Sequence, residues 1–189
     1  MPTTPAPTQC TISLQRAVAV AESPFTGQQQ AVVYPYELWK AVVQLAPMKR
    51  AQAAEWQSFF LQLKGRRGTF LMPDYDAITP RGTARTVTVS SGTVRASTIT
   101  LNANGTLLNG DYIQIGSGAA ARLHMIVGGG NSGNAVYTIE PALKATYSAG
   151  TAVTVVRACG QWRLDTNDSG WDSDAASVYG FSFSCTEAF

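Results

Sequence analysis

The stretch from Lys49 to Asp76, KRAQAAEWQSFFLQLKGRRGTFLMPDYD, constrains this chain most, because it carries the one strong helical pattern among strand-like alternation and turns. Trp56, Phe60 and Leu63 recur at the i, i+4, i+7 spacing of one helix face; Ala53 extends that face backward and Phe59 widens it. A helix of this length is marginal in water by itself. Its aromatic face therefore has to lie on a sheet built from the flanking strands. Gly65 falls where a left-handed C-terminal residue is wanted, and Lys64, Arg66 and Arg67 put positive charge at the negative end of the helix dipole. Thr69 to Met72 then reads as a short buried strand stopped by Pro73.

Strand patterns precede and follow this helix. Thr11 to Val18 alternates and ends in the turn cluster Ser23-Pro24-Phe25-Thr26-Gly27, and Gln28 to Tyr34 and Glu37 to Leu45 read as two more strands closed by Pro47. Near the other end, Gln161 to Leu164 is a strand, and Val178 to Cys185 alternates Tyr179, Phe181 and Phe183 with Gly180, Ser182 and Ser184. That aromatic face, with Phe181 and Phe183, is the expected seat for Trp56, Phe60 and Leu63. The order of elements implies a mainly β fold, a twisted antiparallel sheet or sandwich with one helix packed on it.

Between Arg81 and Arg157 the texture changes: aromatic residues thin out, and Thr, Val, Gly and Asn dominate. Short strands read at 86–89, 98–101, 111–115, 122–127, 135–139 and 152–156, separated by turns such as Asn104-Gly105 and Asn109-Gly110. Close spacing of short strands predicts a small all-β barrel or sandwich. Because aromatic-rich strands resume afterwards, it is read as an insertion. The expected organisation is a flexible N-terminal arm over 1–10, an outer β-fold with the helix over 11–82 and 158–189, and an inserted β-domain over 83–157.

Charged residues make up only 14% of the chain, below the roughly 25% usual for soluble proteins, which suits a molecule packed against copies or partners. A net charge of +2 argues against a nucleic-acid binder, which needs clustered Lys and Arg. The one basic cluster, Lys64, Arg66, Arg67, Arg81 and Arg85, reads as helix capping and solvated charge, or as a contact to an acidic patch on a neighbouring subunit. Cys10, Cys159 and Cys185 have no zinc-type spacing and read as buried free thiols, although Cys10 and Cys185 would be neighbours if the terminal strands pair. The start MPTTPAPTQC has neither a basic nor an apolar signal segment, and no apolar run reaches the roughly 20 residues needed to span a bilayer, so a cytoplasmic, soluble precursor is expected.

Candidate chemistry is sparse. His124, the only histidine, sits in a strand pattern without a nucleophile elbow. The run from Asp165 to Asp174 partly imitates a calcium loop, but its twelfth position is Ala176 where a bidentate Glu belongs, and a hairpin loop of self-bonding Asp and Asn explains it better. Asp74, Asp76, Asp165 and Asp172 offer carboxylates for glycoside hydrolysis, but no spacing selects a pair. The glycines at 128 to 130 lack the Lys-Ser/Thr of a phosphate loop and read as a turn. No catalytic set, metal site or cofactor site is expected. Tyr34, Tyr36 and Trp39 form the sharpest alternative, an exposed platform on which a sugar would stack.

The run Pro35-Tyr36-Glu37-Leu38-Trp39, then Leu45-Ala46-Pro47-Met48, Glu55-Trp56, Phe59-Phe60 and Gly65-Arg66-Arg67-Gly68-Thr69-Phe70-Leu71 resembles minor tail and distal tail proteins of long-tailed, non-contractile bacteriophages. Pro80-Arg81-Gly82, the stretch from Leu108 to Gly116, Ile139-Glu140-Pro141-Ala142-Leu143 and the ending Tyr179-Gly180-Phe181-Ser182-Phe183 extend the likeness over nearly the whole chain. These are packing and turn patterns rather than chemical signatures. The resemblance implies an antiparallel β-sandwich with one helix, related to tail-tube subunits and carrying an inserted β-domain. It implies a non-enzymatic part of the virion that forms a ring, hexameric by analogy, joining the tail tube to the tip. The partners would be the tail tube protein, the tape measure protein and the tip or hub proteins, with no membrane and no sequence-specific nucleic acid. Arg66, Arg67 and Arg81 are then the candidates for inter-subunit or lumen-facing charge. The alternative is a carbohydrate-binding tail module recognising the host surface.

Overall fold

The opening alternation produces two strands much longer than the turn signals suggest. In the computed structural model, which describes residues 1–173 and 178–189, β1 (Pro7–Glu22) and β2 (Gln29–Leu45) pair antiparallel along nearly their whole length. The Ser23 N–H donates to the Gln28 carbonyl at 2.9 Å and closes the turn. Pairing slips between Arg16↔Glu37 and Val18↔Val33, so Tyr34, Pro35 and Tyr36 form a bulge where Pro35 has no N–H to donate.

A two-residue strand β3 (Met48–Lys49) leads into α1 (Arg50–Leu63), and β4 (Phe70–Pro73) follows. Then come β5 (Thr86–Ser91), β6 (Thr98–Asn104), β7 (Tyr112–Ile115), β8 (Arg122–Gly129), β9 (Gly133–Glu140) and β10 (Ala152–Thr154). The chain ends in β11 (Cys159–Leu164), β12 (Asp172–Ser173), β13 (Val178–Gly180) and β14 (Ser182–Glu187). The fold is thus mainly β, with antiparallel sheets and one α-helix among the described residues.

A five-stranded antiparallel sheet runs β1-β2-β14-β11-β4, and a small sheet runs β12-β13-β3. The strands from 86 to 154 close into a six-stranded barrel in the order β10-β5-β6-β9-β8-β7. Closure buries Ile99, Leu101, Ile113, Ile115, Tyr137 and Ile139 in a core of their own and leaves the barrel without a free edge.

The second core lies between α1 and the five-stranded sheet. Ala53, Trp56, Phe60 and Leu63 form the buried helix stripe. The Phe60 ring centre lies 6.0 Å from that of Phe181 and 5.3 Å from that of Phe183, and Trp56 is 6.3 Å from Phe183. Ring pairs at these separations add about 0.5–1.5 kcal/mol each to the area they bury. The alternation in β2 supplies the sheet side: Trp39, Ala41, Val43 and Leu45 point inward, with Cys185 and Trp162 beside them.

Four local expectations are revised. The left-handed helix cap is Lys64 (φ 53), whose N–H donates to the Leu61 carbonyl; Gly65 follows with φ 64 and lies so near Asn167 that a Cβ would sit 2.8 Å from its Cα. Residues 1–10 are not a free arm, since β1 begins at Pro7 and the Trp56 indole N–H donates to the Thr4 carbonyl at 3.2 Å. The alternating run 178–185 divides between two sheets: β13 pairs with β3, β14 pairs with β2, and the Phe181 carbonyl accepts the Leu45 N–H at the crossing. Gly128 and Gly129 end β8 rather than forming the turn itself.

Candidate functional site

Beyond Arg16 and Glu37 the β1–β2 hairpin leaves the body of the protein. Residues 18–36 are all exposed except Ser23, although the stretch is rich in Val, Ala and Tyr. Its apolar side chains lie on both faces: Val18, Val20 and Val33 on one, Val32 and two alanines on the other. Val33 is 68% exposed, and Phe25, at the turn, is 94% exposed. Glu22 is the only charged residue between Ala17 and Tyr36. A two-stranded ribbon that is apolar on both faces is marginal in water and marks an interaction surface.

Its edges are also open. β1 is the outermost strand of its sheet, and β14 covers the far edge of β2 only over Lys40 to Gln44. From Thr8 to Glu22 there is no Pro or Lys to discourage pairing. The opposite end of the sheet, β4, is four residues long and ends in Pro73. The sheet face turned away from α1 carries Thr11, Ser13, Gln15, Val42, Gln44 and Ser182, all exposed. It is a largely polar, weakly charged surface.

The sugar platform does not form as read. Tyr34 and Tyr36 are exposed, but Trp39 is 5% exposed and faces the core. Its ring meets Tyr112 edge-on at 5.9 Å and its indole N–H donates to the Leu123 carbonyl at 2.9 Å. Three positions separate Trp39 from Tyr36, so strand alternation sends them to opposite faces.

The three arginines are not brought together. Arg66 and Arg67 are exposed on a 3-10 turn after α1, where Asn167 Oδ1 accepts the Arg66 N–H. Arg66 lines a cleft with Lys40 and Arg163, beside the carboxylates of Asp165 and Glu187; these residues lie far apart along the chain. Arg81 belongs to the barrel entrance, where its guanidinium donates to the Asn109 carbonyl. Asp111 organises that turn: its carboxylate accepts the N–H groups of Arg81 (2.7 Å), Gly82 (3.1 Å) and Leu108 (2.9 Å). Gly82 is obligatory here, because a Cβ would sit 2.1 Å from the Thr106 carbonyl oxygen.

Polar contacts bind the barrel to the sheet. Arg16 pairs with both Glu37 and Glu140, Glu37 accepts the Ala142 N–H, and the Lys144 ammonium donates to the Glu37 carbonyl. His124 is fully buried at this junction; its Nδ1–H donates to the Pro141 carbonyl at 2.8 Å, and its Nε2 has no partner. Burial holds the imidazole down to about 4, and Lys144 and Arg122 act in the same direction. A sealed neutral imidazole cannot serve a substrate.

In the aspartate loop, Asp165 accepts the Thr186 hydroxyl at 2.5 Å; Asp174 and Ala176 lie outside the described residues. Among the described residues no group of three His, Cys, Asp or Glu is arranged to hold a metal. Cys10, Cys159 and Cys185 are free thiols, but only Cys185 is fully buried while Cys10 and Cys159 are half-buried; burial raises the pKa of each. No helix among the described residues is long and apolar enough to cross a membrane. Neither a protein-family model nor a curated protein matches this sequence.

Proposed function

We propose that this protein is a structural subunit of a bacteriophage tail tip. It assembles head to tail into a closed ring, hexameric by analogy, that joins the tail tube to the distal tip. The observation that carries the reading is the protruding hairpin, apolar on both faces and open along both edges. Such a ribbon is satisfied when it lies against a neighbouring copy, whose surface covers its valines and whose polar groups meet its open edges. Head-to-tail contacts close into a ring when the rotation between copies closes.

In this reading the five-stranded sheet with α1 is a tail-tube-like β-sandwich. Its polar face, with Thr11, Ser13 and Gln44, lines the lumen, and the barrel decorates the outside as an insertion. Arg66 stands with Lys40 and Arg163 at the edge of that face and presents charge to the tube, tape measure or hub proteins, whereas Arg81 holds the barrel entrance. The role is non-enzymatic and set in the virion.

Native mass spectrometry and negative-stain microscopy of the full chain test the proposal. A closed ring is expected, and a variant whose hairpin is shortened between Val18 and Val33 stays monomeric. A full-length protein that remains monomeric across micromolar to millimolar concentration refutes it.

A further inference from the structure

At the foot of the hairpin, between the bulge in β2 and the loops of the barrel, lies a cleft of about 540 Å³. Val33, Pro35 and Val94 give it exposed apolar walls, Phe189 lines it with its ring centre 5.6 Å from the Lys144 ammonium, and Arg95 stands at it. Neither cation has a carboxylate partner among the described residues: Lys144 donates to the Glu37 backbone carbonyl and stands over the Phe189 ring, and the Glu37 carboxylate is already engaged by Arg16 and the Ala142 N–H. Arg95 holds a left-handed backbone (φ 68), fixed by its N–H to the Leu143 carbonyl at 2.7 Å. A non-glycine residue held there costs free energy, and such positions cluster at binding sites.

We infer that this cleft receives the hairpin turn of a neighbouring copy, with Phe25 seated against the exposed Val33 and Val94 and Glu22 facing Arg95 and Lys144. This rests on the ring reading and names the contact that propagates it. Phe25 is the most exposed of the large hydrophobic residues, and its 94% exposure shows that it does not occupy its own cleft. The rungs from Val18↔Val33 to Glu22↔Gln29 hold the turn roughly 15–20 Å from the hairpin's foot. Glu22, the only acid in the protruding part of the hairpin, has only the Gln29 amide as partner. Turn and cleft are thus two different surfaces of one chain, both with apolar residues and of opposite charge, as a head-to-tail contact requires.

The experiment uses the full chain with a benzophenone amino acid at position 25, irradiated at ring-forming concentration and mapped by mass spectrometry. Adducts between copies at residues 94–95 or 142–144 are expected. Phe25→Ala weakens association about ten- to a hundredfold, as loss of one buried aromatic side chain implies. Glu22→Lys weakens it as well, and Arg95→Glu in the same chain restores it. Rings that form undiminished in Phe25→Ala, or adducts confined to other segments, overturn the inference and leave the ring intact. A wild-type chain that never assembles overturns the ring reading and this contact with it.

Discussion

Acidification tests the junction between barrel and sheet at one atom group. His124 is neutral in the native protein, with a pKa held at about 4 by burial, against 6.5 in an unfolded chain. Between those values the unfolded state binds the extra proton, so stability falls as pH falls: the contribution is complete above about 6.5 and is lost towards 4. The gap, at about 1.4 kcal/mol per pH unit, amounts to about 3 kcal/mol. Glu187 works in the opposite sense. Burial raises its carboxyl pKa, so its contribution is present at low pH and disappears as pH rises through the native value. Replacing His124 by Asn keeps a donor for the Pro141 carbonyl and removes the titration, while Glu187 and the other carboxylates remain common to both proteins. Urea unfolding at pH 7.5 and 4.5 is expected to show the wild type losing about 2–3 kcal/mol more than His124→Asn. Equal losses in the two proteins, or an imidazole that titrates near 6.5 by NMR, refute the reasoning.

Phe60→Ala removes a ring packed against four others and costs about 3–5 kcal/mol, read as a lowered urea midpoint. Asp111→Ala strands the three N–H groups of Arg81, Gly82 and Leu108 and costs about 3 kcal/mol, with hydrogen exchange accelerating at those amides. Cys10, its thiol pushed up to about 11 by burial and Asp74, reacts with iodoacetamide at pH 8 far more slowly in the native protein than in urea, and Cys185, raised by burial and Asp165, is slower still.

What the sequence determined by itself is the part governed by short-range periodicity. The spacing of Ala53, Trp56, Phe60 and Leu63 marks a helix stripe that must be covered, and the Asn-Gly turns between 86 and 154 mark short strands, because side-chain direction repeats every 3.6 or 2 residues whatever lies beyond. Even the apolar residues of both parities from Val18 to Val33 are legible, but alternation says only that a face wants cover. The tertiary structure decided what covers it. Trp39 and Tyr36 are both aromatic strand residues, yet one is sealed against Tyr112 and Leu123 while the other faces solvent. Closure of the barrel, the sheet change at Phe181 and the meeting of Lys40, Arg66 and Arg163 join residues distant along the chain. Such pairings depend on which surfaces find each other when the chain collapses, and no local repeat encodes them. The uncovered hairpin became visible only when everything else had found its partner.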